Sequence, residues 1–410
     1  MQTDCFPDAV AEWAKGPIGT LADVNPRYRT DNECEYPFVE MASVGEDFAG
    51  ILKFDARTCE SSGLARFKVG DTLFAKITPC PQNGKVAFVF HLPGELGLGS
   101  TEFIVLSPRN GTDPRFLYHL VCSHAVRGRA AARMEGSTGR QRVPDEIFTK
   151  RLVVPVPPPD EQAAIARILD AVDTALERTR AAVDRARELE RSALEDAFVR
   201  LTATRVPLGT FTADVRYGTS QASSERGRGN PVLRIPNVVG DGLSLNDLAF
   251  VELAESDVER LQLQDGDLLL VRTNGNPNYV GRSVVFRHPD ARTWVYASYL
   301  IRVRLKAGLL PEFVNVFLGI EVGRRELLRR VTTSAGNHNI NSNSIRLLRL
   351  PVPDSVDAQE GIVELARTCR DYVHSLQSKA DALQLLKKSL MHDLLTGRVR
   401  VRGTAEVAAS

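Results

Sequence analysis

Two stretches of the chain carry apolar residues at alternating steps of four and three. The first runs Ile165, Leu169, Val172, Leu176, Thr179, Val183 and Ala186; the second runs Ile362, Ala366, Cys369, Val373, Leu376, Ala380 and Leu383. That spacing keeps one stripe of a helix facing a partner, as the a and d positions of a coiled coil do. Charged residues such as Arg178, Arg180, Asp184, Arg185 and Arg187 fall on the outer faces. The pattern predicts two helices of roughly 40 residues, each about 60 Å long, packed as an antiparallel pair. Leu189 and Leu386 sit one place off the strict repeat, where the stripe drifts. A proline hinge precedes each helix, Pro155-Val156-Pro157-Pro158-Pro159 and Pro351-Val352-Pro353. Asp160 is expected to cap the first helix, with Glu161 in its first turn. Thr396-Gly397 is expected to stop the second.

The two apolar sets correspond place by place, 197 residues apart, and the segments before them match as well. Gly70-Asp71-Thr72-Leu73-Phe74-Ala75-Lys76 returns as Gly266-Asp267-Leu268-Leu269-Leu270-Val271-Arg272. Glu102-Phe103-Ile104-Val105 aligns with Ser298-Tyr299-Leu300-Ile301, and Val154-Pro155-Val156 with Leu350-Pro351-Val352, all 196 residues on. Pro17-Ile18-Gly19-Thr20 resembles Pro207-Leu208-Gly209-Thr210. Several matches in one order mean one unit used twice, not a solenoid. Each unit opens with short β-rich runs, such as Val86-Ala87-Phe88-Val89-Phe90 and Ser283-Val284-Val285-Phe286, set between Gly, Pro and Asn. The expected fold class is α+β: two similar globular α/β domains separated by a pair of long antiparallel coiled-coil helices, with a pseudo-twofold internal repeat. The expected boundaries are a first head at 1–158, a helix at 159–204, a second head at 205–354, a helix at 355–400 and a disordered tail at 401–410. A helix pair of this kind would hold the two heads apart.

Charge and cysteine content narrow the chemistry. The 410 residues carry a formal net charge of +1, so any contact with nucleic acid has to come from local patches. Two such patches precede the helices. Residues 127–151 hold seven basic side chains against three acidic ones, and residues 324–349 hold six against one. Arg127 and Arg133 in the first match Arg324 and Arg330 in the second. Guanidinium groups suit phosphate oxygens, so these are candidates for backbone contacts; a solvated helical face is the plain alternative. Base edges need donors and acceptors that pair with them: Arg or Lys for guanine, Asn or Gln for adenine. Lys76, Thr78, Asn83 and Lys85 supply that chemistry in the first head, and Arg272, Asn274, Asn276 and Asn278 in the second. A further pair is Arg140-Gln141-Arg142 and Asn337-His338-Asn339, for which a shared role such as phosphate docking is expected more than the reading of a specific base. Asn-Gly and Asn-Pro also mark ordinary turns.

Catalytic signatures are missing from the sequence. It has no Gly-rich cofactor loop joined to an Asn/Asp-Pro-Pro-aromatic motif, and no phosphate-binding G-x-x-x-x-G-K-[ST] loop. The carboxylates and lysine of Pro144–Lys150 are too compressed to converge on a metal ion. Six scattered cysteines form no C-x-x-C pair, which argues against zinc and a disulfide framework, and they read as reduced, mostly buried thiols. No apolar run reaches the roughly 18 residues of a membrane span and no leader is evident, so the expectation is a cytoplasmic protein without membrane contact.

The hinge and helix start Val156-Pro157-Pro158-Pro159-Asp160-Glu161-Gln162-Ala163-Ala164-Ile165, and the tail from Lys388 through Leu394-Leu395-Thr396-Gly397-Arg398-Val399, resemble the specificity subunit of type I restriction–modification enzymes. So do Ile77-Thr78-Pro79-Cys80 with Asn83-Gly84-Lys85, Gly136-Ser137-Thr138-Gly139-Arg140-Gln141-Arg142-Val143, and Ser334-Ala335-Gly336-Asn337-His338-Asn339-Ile340-Asn341. The resemblance spans nearly the whole chain. It departs at the second hinge, where Pro353-Asp354-Ser355-Val356-Asp357-Ala358-Gln359-Glu360 replaces the usual proline-rich run. It implies two target-recognition domains, each reading half of a split, asymmetric double-stranded DNA target. It also implies docking of two methyltransferase subunits and of restriction/translocase subunits. The chain itself would be non-catalytic and bind no cofactor, with S-adenosylmethionine, ATP and Mg on the partners. The rival readings are a stand-alone two-headed DNA-binding regulator and a structural coiled-coil scaffold without DNA contact.

Overall fold

The computed structural model describes residues 2–401 except 10–11, 32–33, 60–62, 138–139, 226, 241 and 335. The tail expected to be disordered therefore lies outside the described residues from 402 on, as do Thr138, Gly139 and Ala335 of the two motifs. The chain forms two compact units, Met1–Arg180 with Ser378–Ser410, and Ala181–Gln377.

The first unit is built on an antiparallel four-stranded sheet in the order Ala22–Val24, Phe103–Pro108, Thr72–Ala75, Val86–Phe88. Its strand Thr72–Ala75 is buried at every position, which accounts for its unbroken run of small and apolar residues. The turn that launches it needs a left-handed residue, supplied by Gly70 at φ +92°. Asp71, also buried, accepts from the Lys68 amide at 2.8 Å and pins that turn; burial pushes its carboxyl above its ordinary pKa. A second four-stranded sheet runs Asp55–Thr58, Glu35–Val39, Gly97–Gly99, Ala65–Phe67. Two short helices follow: Pro114–Cys122 packs on the first sheet, and His124–Ala131 packs against that helix and against the strand Leu152–Val156.

The second unit repeats the plan. Its antiparallel sheet runs Thr212–Tyr217, Leu300–Leu305, Leu268–Val271, Ser283–Val285. Gly266 at φ +88° and buried Asp267, accepting from the Gln264 amide at 2.8 Å, launch the central strand. The helix pair is Pro311–Gly319 and Glu321–Leu328.

The long helices span Pro159–Arg200 and Val356–Leu395. Asp160 lies inside the first helix and not at its cap, because Pro159, with no amide hydrogen to leave unpaired, already starts it. Gly397, at φ +69°, closes the second. In the first unit, Asp173 pairs with Lys387 at 2.5 Å and Arg180 donates to Gln384 at 2.8 Å, so the two helices run antiparallel. Ile165 and Leu169 join Leu394 and Leu395 in that unit's core. In the second unit, Leu194 and Phe198 share a core with Ile362 and Ala366. Along the stripes, Ile165, Leu169, Leu176, Val183, Ile362, Ala366 and Ala380 are buried, and Val172, Cys369, Val373, Leu376 and Leu383 half-buried. Leu189 and Leu386, off the repeat, are 67% and 46% exposed. A straight helix rotates away from a seven-residue repeat by about 20° per heptad, which carries such positions off the seam.

Gln162 and Gln359, 197 residues apart, do one job twice. Gln162 accepts from the Asp113 amide at 3.0 Å and donates to the Pro157 carbonyl at 2.8 Å. Gln359 accepts from Leu310 and donates to Gly308, each at 2.9 Å. Each ties a long helix to the start of its head's helix pair. Of the six cysteines, Cys5, Cys59 and Cys122 are buried, Cys80 and Cys369 half-buried and Cys34 exposed, so only half match the expected burial. Among the described residues no helix is long and apolar enough to cross a membrane.

Replacing Leu169 by Ala is expected to cost about 2–5 kcal/mol, because the cavity falls in a closed core. Leu189→Ala should stay within about 0.5 kcal/mol. Denaturant unfolding of both variants checks this; equal losses would contradict the assignment of the seam.

Candidate nucleic-acid interface

The chain leaving each central strand meets a segment more than sixty residues further on. In the first unit the Val143 amide donates to the Lys76 carbonyl at 2.9 Å, and the Thr78 amide to Gln141 at 3.0 Å. Arg142 bridges both Ile77 and Glu135. In the second unit the Ile340 amide donates to the Arg272 carbonyl at 3.0 Å. There Asn337–Asn339 forms the middle strand between Thr273–Asn274 and Thr332–Ser334. The two candidate groups picked out in each head, far apart in sequence, thus form one junction per unit.

Backbone pairing also corrects the alignment of the repeats. Lys76 and Arg272, 196 residues apart, donate their amides to Glu102 at 2.9 Å and Tyr299 at 2.8 Å. Tyr299 therefore stands where Glu102 stands, and Ser298 does not: this strand is offset by 197. A one-residue slip is invisible when only short apolar runs are compared, yet it exchanges the two faces of a strand.

The arginines divide by where they point. Arg127 donates from Nη1 to the carbonyls of Pro81 and Gln82 at 2.7 and 2.8 Å, and lies over the Phe48 ring at 5.3 Å. Arg324 donates to Val280 at 2.8 Å and to Pro277 at 3.4 Å; burial lowers its pKa. These matched residues clamp the loop after the central strand from the protein side. Arg133 donates to the Arg129 carbonyl at 3.1 Å and to Thr3, and Arg330 to Glu326 at 2.9 Å.

Within the first loop, Asn83 donates to Glu46 at 2.9 Å, Lys85 to the Met41 carbonyl at 3.2 Å, and Thr78 to the Met134 sulfur at 3.5 Å. Lys76 lies 3.8 Å from Asp145 and lines a hollow of about 270 Å³ with Arg27 and Arg66. Arg140 is exposed, and Arg142 forms a two-pronged pair with Glu102. The hydrogen bond from Arg142 holds the Glu102 carboxyl below its ordinary pKa, against a smaller opposing effect of burial. In the second loop, the Asn274 side chain accepts from the Asn276 amide at 2.9 Å, and that of Asn276 from the Asn278 amide at 3.0 Å. These two side-chain-capped turns leave Asn276 and Asn278 exposed. Arg272 stacks over Tyr217 at 4.6 Å. His338 bonds Thr333 at 3.2 Å, and Asn339 donates to the Asn337 carbonyl at 3.2 Å. Glu102, Tyr217 and Tyr299 escaped the sequence reading because their partners lie tens of residues away. Among the described residues no group of three or more His, Cys, Asp or Glu is placed to hold a metal ion.

These features give each unit of the duplicated fold a polar junction of matching backbone and different side chains. Residues 11–183 match the family model for the type I restriction modification DNA specificity domain. The specificity subunit of the type I restriction enzyme EcoKI, from Escherichia coli K12, is 26% identical over 334 residues, covering 77% of this chain and 71% of the relative. The EcoAI specificity subunit of Escherichia coli is 31% identical over 157 residues, 37% of this chain and 26% of that one. Two solved structures share the fold. A chain from a study of complex assembly and conformational transition of the type I R-M system has a TM-score of 0.62 at 18% identity, covering 96% of this chain and 99% of that one. The S subunit of a type I restriction-modification system from M. genitalium has a TM-score of 0.57 at 16% identity, covering 95% and 97%. Residues 11–183 thus carry a type I restriction modification DNA specificity domain, and the chain over most of its length is similar to specificity subunits of type I restriction enzymes.

An arginine on a phosphate releases counterions, so removing it flattens the salt dependence of binding by about 0.9 in log–log slope. Arg127→Ala and Arg324→Ala are expected to weaken DNA binding with that slope unchanged, because they clamp loops. A slope reduced by about 0.9 in either variant would instead make it a phosphate contact.

Proposed function

We propose that each unit reads one half of a split, asymmetric DNA target through its strand–loop junction. The observation that carries this reading is the junction itself: one backbone arrangement is built twice and furnished with different side chains. Lys76, Thr78, Gln141 and Arg142 line the first; Arg272, Asn274, His338 and Asn339 line the second. The same backbone approach to the duplex with different donors and acceptors selects different bases. Exposed Arg140, Asn276 and Asn278 extend the surface toward groove or phosphate.

In this reading the chain supplies recognition and no catalysis. Two methyltransferase subunits and the restriction/translocase subunits dock on it, and they carry S-adenosylmethionine, ATP and Mg. The boundaries that go with it are heads at 1–158 and 205–354 and helices within 159–204 and 355–400. The stand-alone regulator finds no support: all four matched curated relatives are specificity subunits of type I restriction enzymes.

Methylome sequencing of a strain carrying the complete system is expected to give a two-part motif whose halves differ, separated by unread bases. The purified chain alone should neither methylate nor cut DNA supplied with Mg, ATP and S-adenosylmethionine. A continuous or palindromic motif, or activity that survives removal of every partner, would refute the reading.

A further inference from the structure

The first unit contains a guanidinium set up to meet a base edge. Glu102 takes the Nε of Arg142 at 2.8 Å and its Nη2 at 2.6 Å. That grip uses one side of the planar fork. The other edge, Nη1 with the second hydrogen of Nη2, keeps two parallel N–H donors directed away from the carboxylate. Two such donors match O6 and N7 of guanine in the major groove. The contact described for Nη1 is a long one, 3.5 Å to the Arg140 carbonyl. Arg142 is 46% exposed, so the free edge reaches solvent, whereas Glu102 is 20% exposed.

Both members stand on fixed backbone. The Arg142 amide donates to Glu135 at 2.8 Å and its carbonyl accepts from the Glu135 amide at 2.9 Å; the Glu102 carbonyl accepts from Lys76 at 2.9 Å. An arginine already held in one orientation loses less freedom on binding. The pair is also electrically neutral, which suits a base edge better than a phosphate, where attraction grows with net positive charge. In the second unit Tyr299, 58% exposed, replaces Glu102. Asn339 replaces Arg142, as the matching bonds Val143 to Lys76 and Ile340 to Arg272 show. The braced arginine belongs to one unit alone.

We propose that Arg142 reads a guanine in the half-site of the first unit, and that Glu102 is its positioning residue. This rests on the reading above, that the chain recognises DNA through these junctions. The full chain, co-expressed with its modification subunits, would carry Arg142→Ala, Arg142→Lys, Glu102→Gln or Glu102→Ala, and the methylated motif of each would be determined. Arg142→Ala is expected to relax one guanine position in one half-site, erasing a preference of about tenfold or more, and to leave the other half-site intact. That intact half-site reports a folded subunit. Arg142→Lys should relax the same position. Glu102→Gln, which keeps a hydrogen bond without the charge, should relax it less than Glu102→Ala. Oligonucleotides with 7-deazaguanine at that position, lacking N7, should be methylated more slowly by the wild-type complex and at an unchanged rate by Arg142→Ala. An unaltered motif in Arg142→Ala overturns the proposal, as does an even loss across all positions, no guanine in the affected half-site, or a wild-type complex indifferent to 7-deazaguanine. A wild-type complex that yields no two-part motif fails the functional reading itself.

Discussion

A long amphipathic helix cannot bury its apolar stripe by itself, and this chain contains two. Each stripe extends over several heptads. The burial is completed within each unit by a segment of the other helix: Leu394 and Leu395 close over Ile165 and Leu169 in one, and Leu194 and Phe198 meet Ile362 and Ala366 in the other. The first unit therefore needs both ends of the chain. Thr3–Asp4 pairs with Leu152 and Val153. Arg400 grips Glu161 at 2.7 and 2.8 Å, and Trp13 donates to the same carboxylate at 3.1 Å.

The polar junctions follow from the same economy. The buried strands and their Gly-Asp turns are alike in the two units because the core dictates them. The loops that leave those strands are tied down from behind by Arg127 and Arg324, and from the side by backbone bonds to Val143 and Ile340. Exposed side chains on such loops can change without disturbing the core, so recognition can diverge on a constant frame. Glu102 with Arg142 in one unit, and Tyr299 with Asn339 in the other, occupy corresponding places with different chemistry.

Much of this is legible in the chain. The repeat, the heptad stripes, the proline hinges and the polar loops are all local patterns, and local patterns survive in sequence. What escaped reading is direction and pairing. A count of basic residues grouped Arg127 and Arg140 together, although one faces a carbonyl cage and the other solvent. Glu102 and Arg142 are 40 residues apart, and nothing local joins them. The one-residue slip between Ser298 and Tyr299 arises because a strand's faces alternate every residue, so a short apolar match cannot decide its register. Asp160 looked like a cap because its type fits that role, while Pro159 had already begun the helix.

If one junction, built twice, forms the DNA-reading surface, bound DNA must shield it in both units. Amide hydrogen exchange of the full chain, with and without a duplex bearing the methylated motif, tests it most directly. The account predicts slowed exchange at residues 76–85 and 135–142 together with 272–282 and 332–339. Protection limited to one unit, or to the long helices alone, would contradict it.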